Sequence, residues 1–191
     1  MSAESVRDWI AKHAPDLPII ETELSTATVE TAAKALGVEA ARIAKTLAVR
    51  AGGRTFLVVA RGDARLDNQK SKAEFGARPR MLGAEDTLEL TGHPVGGVCP
   101  FGLATPLPVY IDVSLKPFDI VYPAGGSLNT SVRVTPDRLF ELVGERCLGA
   151  GAALDDLDGL EHHVRARALE RVAGDPHHTR RARPRVSRRR A

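Results

Sequence analysis

Apolar and polar residues recur with two different periods along the first 150 residues of the chain. Apolar side chains three or four positions apart predict an amphipathic helix at 5–14, with Ser5 as a candidate cap. Further helices are predicted at 28–37, 67–76, 83–92 and 136–144, with a helical turn at 38–44. Short apolar runs bounded by turn residues predict strands at 17–22, 45–51, 54–60, 108–115, 119–124 and 129–136.

The apolar runs 45–51 and 54–60 flank Gly52-Gly53, a combination typical of a β-hairpin. Helices and strands are mixed along the chain, but they do not alternate as regular βαβ units. The pattern therefore predicts a mixed α/β (α+β-like) single domain with a curved mixed β-sheet, rather than a doubly wound sheet.

Length and composition divide the chain into a domain and a tail. A chain of 191 residues with 43% apolar residues can form one domain with a real core, which we assign to residues 1–150. Residues 151–191 are polar, and the last twelve contain seven arginines and no acid. We predict that this Arg-rich C-terminal tail is disordered. It could add nonspecific affinity for nucleic acid, or have no role.

Charge inside the domain is concentrated in residues 42–80, which contain ten basic residues and three acids. Such a segment is a candidate phosphate-binding face, unless acids from elsewhere in the fold neutralise it.

Several classes of protein are disfavoured by the sequence. No apolar run approaches the roughly 18 residues that suggest a membrane span, and the N-terminus lacks the apolar stretch of a signal peptide. Two distant cysteines do not make a disulfide framework, so we predict a cytoplasmic protein with reduced thiols. No GxxxxGK[ST] motif, no GxGxxG motif after a strand and no metal-ligand spacing is present, so we expect neither a cofactor nor a metal.

The stretch GHPVGGVCPFG at 92–102 is the first candidate for chemistry. Its glycines and prolines give the backbone a defined shape and permit close approach of a ligand. Two interpretations stay open at this point. Either Cys99 acts as a nucleophile with His93 as its base, or the main chain itself contacts the substrate.

Lys45 is the second candidate, because it stands where the helical turn meets the first hairpin strand. A lysine there could hold a phosphate or stabilise an oxyanion. The alternative is a lysine that extends from a strand end into solvent.

Three segments together resemble the YbaK/EbsC family, the prolyl-tRNA synthetase-associated editing domains. They are RIAKTLAVRAGG (42–53), GHPVGGVCPFGL (92–103) and PVYIDVSLKPFDIVYPAGGSLNTSVRVTPDRL (108–139), and the resemblance covers residues 4–148. It implies a barrel-like mixed sheet flanked by helices, no metal or organic cofactor, and hydrolysis of mischarged aminoacyl-tRNA. The substrate implied is commonly tRNA(Pro) carrying a smaller amino acid, bound by its acceptor end, with prolyl-tRNA synthetase as a candidate partner.

The resemblance also implies roles for individual residues. Lys45 matches the family lysine, and the backbone of Gly96 and Gly97 would serve the oxyanion, so these three are the expected catalytic residues. Expected substrate-binding residues are Thr46, Val98, Cys99, Pro100, Ala124 and Gly125.

The specificity implied is less definite. The cysteine-specific branch of the family usually has serine just before the GG turn, where this chain has Ala124. We therefore expect a free-standing deacylase for a small non-cognate amino acid. The alternatives are a Cys-tRNA(Pro) deacylase, a noncatalytic tRNA-binding module of the same fold and a hydrolase that depends on Cys99.

Overall fold

The structure is a computed structural model that describes residues 2–143 and 146–148. The described helices are α1 Ser2–His13, α2 Val29–Leu36, α3 Asn68–Phe75, α4 Ala84–Thr91 and α5 Pro136–Val143. The described strands are β1 Ile19–Glu21, β2 Ile43–Ala51, β3 Arg54–Arg61, β4 Arg80–Met81, β5 Val109–Asp112, β6 Tyr122–Pro123, β7 Thr130–Val132 and β8 Arg146–Leu148. Short 3-10 helices span Ala40–Arg42 and Val113–Leu115.

The hairpin of β2 and β3 is the centre of the larger sheet. Its strands are antiparallel, and Gly52 and Gly53 between them have φ values of 56° and 77°. Positive φ at both central residues is what a type I′ turn requires, and glycine adopts it without steric cost. β5 pairs parallel with β3, and β8 pairs parallel with β5. The prediction of a mixed sheet is therefore confirmed.

The outer edge of β2 is divided between two short strands. β6 pairs parallel with Ile43 and Ala44, whereas β4 pairs antiparallel with Val49 and Arg50. β1 and β7 form a second, two-stranded sheet, joined to the β6 segment by the bridges Val121–Val134 and Ala124–Ser131.

Both faces of β3 are buried. Leu57 and Val59 belong to the main core, which α1 and α5 complete with Val6 and Leu139, among others. Phe56 and Val58 point to the opposite face and pack with Phe75 of α3. A strand covered on both faces has a continuous apolar sequence rather than an alternating one, which explains the run in TFLVVA.

Some predicted boundaries differ from the structure. α1 begins at Ser2, and the hydroxyl of Ser5 lies inside the helix, where it donates to the Ser2 carbonyl at 2.9 Å. Ser5 is therefore not the N-cap. The N-cap at Thr28 is confirmed, because Thr28 and Thr31 form a reciprocal capping box.

Four predicted strands are shorter in the structure, and two of them, 17–22 and 129–136, are reduced to Ile19–Glu21 and Thr130–Val132. β5 ends at Asp112, whose carboxylate accepts a hydrogen bond from the Ser114 amide and starts a 3-10 helix. The strand predicted at 119–124 is reduced to Tyr122–Pro123, since proline lacks the N–H that continues a ladder. The predicted tail, 151–191, lies outside the described residues. No described helix is long and apolar enough to cross a membrane.

α1 packs directly against a glycine turn that leads into β7. Gly126 has a φ of 89°, and a Cβ there would lie 2.5 Å from the Ser2 carbonyl oxygen and 2.8 Å from Val6 Cγ2. Gly126 therefore combines a left-handed backbone with a contact that leaves no room for a side chain.

We predict that Gly126→Ala lowers the free energy of unfolding by about 3 kcal/mol, because overpacking adds to the backbone strain. Gly53→Ala is the matched control, since Gly53 has a φ of 77° but a Cβ added there would meet no atom within 4 Å. That variant should lose only about 1 kcal/mol. Urea unfolding of both variants measures the difference, and equal losses would contradict the steric account.

Candidate functional site

A cleft of about 300 Å³ opens along the outer edge of β2, between the ends of β4 and β6. Its walls come from segments that are far apart in the sequence. The lining residues are Thr26, Ala27, Thr28, Val29, Ala32, Ile43, Ala44, Lys45, Thr46, Leu47, Ala48, Met81, Leu82, Thr87, Val95, Gly96, Val98, Tyr122, Ala124 and Ser131. Most of these side chains are small or aliphatic, so the cleft suits a small ligand group with little charge.

Lys45 extends from β2 to the loop that follows β3. Its Nζ donates to the Gly62 carbonyl at 2.8 Å and also to the Ala64 carbonyl. An ammonium group has three N–H donors, so one is left for a ligand. Burial lowers the pKa of Lys45, while Asp63 and Glu30 oppose that shift electrostatically. The lysine is therefore held in place in the cleft wall and does not extend freely from the strand end into solvent.

The close packing of Gly62 fixes this anchor. A Cβ at Gly62 would lie 2.2 Å from the Ala40 carbonyl oxygen and 2.7 Å from Val29 Cγ1. The loop thus approaches the start of β2 more closely than any other residue would permit, and Lys45 finds its acceptors there.

Loop 92–102 forms the opposite wall of the cleft. The Gly97 amide donates to the Pro94 carbonyl at 2.9 Å, which closes a turn at the cleft rim. Gly96 has a φ of 87°, and a Cβ there would lie 2.8 Å from the Ala27 carbonyl oxygen. A Cβ at Gly97 would lie 2.9 Å from the Ser127 carbonyl. The two glycines therefore press the loop against both neighbouring segments.

Two loop amides stay available to a ligand. The amides of Gly96 and Val98 have no acceptor among the described residues, and both residues line the cleft. The intervening Gly97 amide is occupied by Pro94. Unoccupied main-chain donors of residues that line a cleft can stabilise negative charge on a substrate oxygen.

His93 and Cys99 are part of the interior. Both side chains are fully buried, and His93 Nδ1 accepts a hydrogen bond from the Cys99 amide at 3.2 Å. Burial raises the pKa of the Cys99 thiol, so the reactive thiolate is disfavoured. The burial of both side chains, and the contact of His93 with the Cys99 amide instead of its thiol, disfavour their interpretation as a nucleophile and its base. Their contact holds the loop in shape.

The cleft brings together five of the expected site residues: Lys45, Thr46, Gly96, Val98 and Ala124. The other four, Gly97, Cys99, Pro100 and Gly125, do not line it. Among these, Gly125 has its amide bonded to the Thr130 carbonyl at 2.8 Å, and Cys99 packs in the main core. They support the walls from behind.

Sequence reasoning missed the remaining walls of the cleft. Ala27 precedes the α2 cap, Leu82 follows the two-residue strand β4, and Ser131 lies in β7. Of these three residues, only Ser131 could be placed from the local sequence, because it lies in the strand predicted at 129–136. Their convergence depends on long-range pairing that no local pattern reports.

The basic segment 42–80 is partly neutralised in the fold. Arg42 pairs with Glu39 and Asp119, Arg50 with Asp86 and Arg61 with Asp63. The other basic residues besides Lys45 are exposed and have no ion pair among the described residues; they are Arg54, Arg65, Lys70, Lys72, Arg78 and Arg80. A net basic surface therefore remains. The described part of the chain contains no cluster of three or more His, Cys, Asp or Glu residues that could hold a metal ion.

Comparison with known proteins gives a family. Residues 23–142 match the family described as the aminoacyl-tRNA editing domain. A Bacillus subtilis protein named "Uncharacterized protein YwhH" is 49% identical over 142 residues, which cover 74% of this chain and 90% of that protein. An Enterococcus faecalis protein named "Putative Cys-tRNA(Pro)/Cys-tRNA(Cys) deacylase EbsC" is 30% identical over 118 residues, covering 60% of this chain and 71% of the relative.

A solved structure shares the fold. It is described as "Crystal structure of a putative trans-editing enzyme for prolyl tRNA synthetase" and has a TM-score of 0.73 at 34% sequence identity. The alignment covers 78% of this chain and 95% of that one. The predicted fold class and the predicted family are both confirmed.

The burial of His93 makes stability depend on pH. Burial lowers the pKa of His93 from 6.5 to about 4. Between these values the unfolded chain binds a proton and the folded chain does not, so acid favours unfolding. We predict that this group removes about 3 kcal/mol of stability between pH 6.5 and pH 4. Above pH 6.5 its contribution is constant.

Urea unfolding of the wild type and His93→Gln across this range isolates the effect, because the acid sensitivity of carboxylates is common to both. The stability advantage of the wild type should shrink as the pH falls from 6.5 to 4. A difference that does not change with pH would contradict a neutral buried histidine.

Proposed function

Because the chain belongs to the aminoacyl-tRNA editing domain family, we propose that it is a free-standing deacylase that hydrolyses mischarged tRNA. The proposed substrate is tRNA(Pro) carrying a small non-cognate amino acid. One observation carries the proposal: an anchored lysine and two loop residues whose amides have no acceptor line the same small apolar cleft, and no cysteine or serine nucleophile among the described residues stands there with a base.

The proposed reaction is hydrolysis by water. A water oxygen forms a bond to the acyl carbon, and the carbonyl oxygen becomes an oxyanion. The carbonyl bond then reforms as the ester bond to the ribose breaks, and the ribose oxygen takes up the proton that the attacking water gives up, which releases the free amino acid and uncharged tRNA. The amides of Gly96 and Val98 are suited to donate to the oxyanion. The family resemblance in the sequence implies Gly96 and Gly97 as the two donors. We assign Val98 in place of Gly97, because the Gly97 amide already donates to the Pro94 carbonyl.

Lys45 has a separate place in the proposal. Side chains alternate across a strand, so Lys45 leaves β2 on the face opposite to Thr46. Its Nζ is held at the cleft wall by the Gly62 and Ala64 carbonyls. We assign its remaining N–H to the phosphate of the terminal adenosine, for which lysine is a suitable point charge.

The acceptor stem is proposed to lie on the exposed basic residues of segment 42–80. Phosphate contacts supply most of the affinity for nucleic acid, and they weaken as salt rises. We place the activity in the cytoplasm, where aminoacyl-tRNA is made, and we keep prolyl-tRNA synthetase as a candidate partner.

A second candidate is favoured by the similarity to EbsC, whose name gives Cys-tRNA(Pro) and Cys-tRNA(Cys). Ala124 stands in the cleft wall, at the position where serine is usual in the cysteine-specific branch. We therefore rank cysteine below the other small amino acids as the residue removed from tRNA(Pro). A deacylation assay that includes Cys-tRNA(Pro) separates the two candidate functions.

We predict that the protein deacylates tRNA(Pro) charged with one or more of Ala, Ser and Thr, and spares Pro-tRNA(Pro). Time courses that also include Cys-tRNA(Pro) test this directly. Lys45→Ala should lose activity by about 100-fold, because the charge that positions the terminal phosphate, and with it the ester, is removed. Lys34→Ala, at an exposed position in α2, should match the wild type. Salt-dependent binding without turnover on any charged tRNA would favour a noncatalytic tRNA-binding module.

Cys99→Ala tests the absence of a protein nucleophile. We predict that this variant keeps deacylation within about threefold of the wild type, because the buried thiol only packs in the core. Its stability should fall slightly, since a small buried group is removed. Loss of activity in a variant that remains folded by circular dichroism would restore the thiol mechanism.

A further inference from the structure

The outer edge of β2 is unpaired at one place. Among the described residues, β6 covers Ile43 and Ala44, β4 covers Val49 and Arg50, and the Leu82 amide donates to the Ala48 carbonyl at 2.9 Å. No described strand pairs with this edge at residues 45–47. The cleft lies along this gap.

Strand alternation decides which main-chain groups face the gap. The N–H and C=O of one residue in a strand point to the same side, and those of the next residue point to the other. The Ala48 carbonyl points outward to Leu82, so the N–H and C=O of Thr46 point outward as well. The corresponding groups of Lys45 and Leu47 face β3, opposite Ala60 and Val58. Thr46 therefore presents a donor and an acceptor to the cleft, and neither is paired by a described strand.

The side chain of Thr46 adds a second observation. Its hydroxyl oxygen is buried and has no hydrogen-bond partner among the described residues, and the same is true of the Thr26 hydroxyl in the facing wall. Buried polar groups are normally satisfied, and unsatisfied ones in a cleft point to a ligand. The polar groups of Thr46 lie among Ala44, Ala48 and Val98, where they have few alternatives.

We propose that the amino acid of the substrate binds to Thr46 as a one-residue antiparallel strand. Its α-ammonium group donates to the Thr46 carbonyl, and its ester carbonyl oxygen accepts from the Thr46 amide, which thereby joins the Gly96 and Val98 amides as a third donor to the oxyanion. This pairing continues the antiparallel register of β4, in which every second residue of β2 exchanges hydrogen bonds. The inference rests on the proposed function, and it assigns to Thr46 a main-chain role in positioning the scissile bond.

The pairing treats L-amino acids, D-amino acids and proline differently. Directly opposite residues of an antiparallel pair place their side chains on the same face, so an L-amino acid directs its side chain to the face that carries Ala44 and Ala48. The α-nitrogen of prolyl-tRNA is a secondary ammonium, in which the ring carbon Cδ replaces one hydrogen and prevents rotation about the N–Cα bond. Proline therefore offers the Thr46 carbonyl only two N–H groups in fixed directions, whereas the ammonium group of another amino acid rotates to align a donor. A D-amino acid would direct its side chain to the opposite face.

Substrates altered at the α-amine test the proposal. Ala-tRNA(Pro) and N-acetyl-Ala-tRNA(Pro) would be compared as ratios of enzymatic to spontaneous hydrolysis, because acetylation also changes the reactivity of the ester. We expect the ratio to fall by roughly tenfold on acetylation, since the amide N–H that remains is uncharged and the hydrogen bond to the Thr46 carbonyl loses its charge assistance. Thr46→Val, which keeps the main chain, should retain this discrimination. Equal ratios for the two substrates would overturn the proposal.

Amide hydrogen exchange of the wild-type protein gives a readout independent of turnover. The probe is 3′-(L-alanylamino)-3′-deoxyadenosine, an amide mimic of the ester, and its N-acetyl derivative is the control ligand. The Thr46 amide should exchange at least about tenfold more slowly with the probe than with the control ligand. The Leu47 amide, which faces β3, should not respond. Unchanged exchange at Thr46 with saturating probe would overturn the proposal, whereas protection without hydrolysis of any aminoacyl-tRNA would sink only the proposed function.

Discussion

The unpaired stretch of the β2 edge is the constraint on which the cleft depends. A strand edge normally pairs along its length or is covered, but β2 is paired at both ends and left open between them by the described strands. β6 is limited to two residues, and its Pro123 lacks the donor that a longer ladder would need. β4 is followed by the turn into α4. The two bordering strands, β4 and β6, therefore set the position and length of the gap.

Close packing at glycines holds the opposite wall at the right distance. Gly96 touches Ala27, Gly97 touches Ser127 and Gly62 touches Ala40, each at a separation that a Cβ would violate. These contacts are backbone to backbone, so they transmit position without flexible side chains between them. The buried His93 adds a hydrogen bond to the Cys99 amide from inside the loop. Together they set the Gly96 and Val98 amides in the free protein, as electrostatic preorganisation requires.

The sequence predicted local features of this arrangement well. The Gly52-Gly53 hairpin, the Thr28 cap and the shaped loop 92–102 all follow from residue types at short spacing. The extents of β4 and β6 do not, because two-residue strands exist only through partners about thirty or eighty residues away in the chain. The two interpretations of the loop differed in whether the Cys99 side chain or the main chain acts on the substrate. Burial of the Cys99 side chain is a property of the packed core, and no motif reports it.

A site made of main-chain groups and small side chains suits the task proposed for it. Small amino acids differ by one methyl or hydroxyl group, and apolar packing alone discriminates such differences by only about 10- to 200-fold. Backbone recognition is indifferent to these side chains, so one cleft can accept several of them. It is sensitive to the geometry at the α-nitrogen, which is where proline differs from every other amino acid. An editing enzyme that must spare proline can therefore bind it more weakly through the backbone, because the ring fixes the directions of its N–H groups, while Ala44, Ala48 and Ala124 limit the size of the side chain admitted.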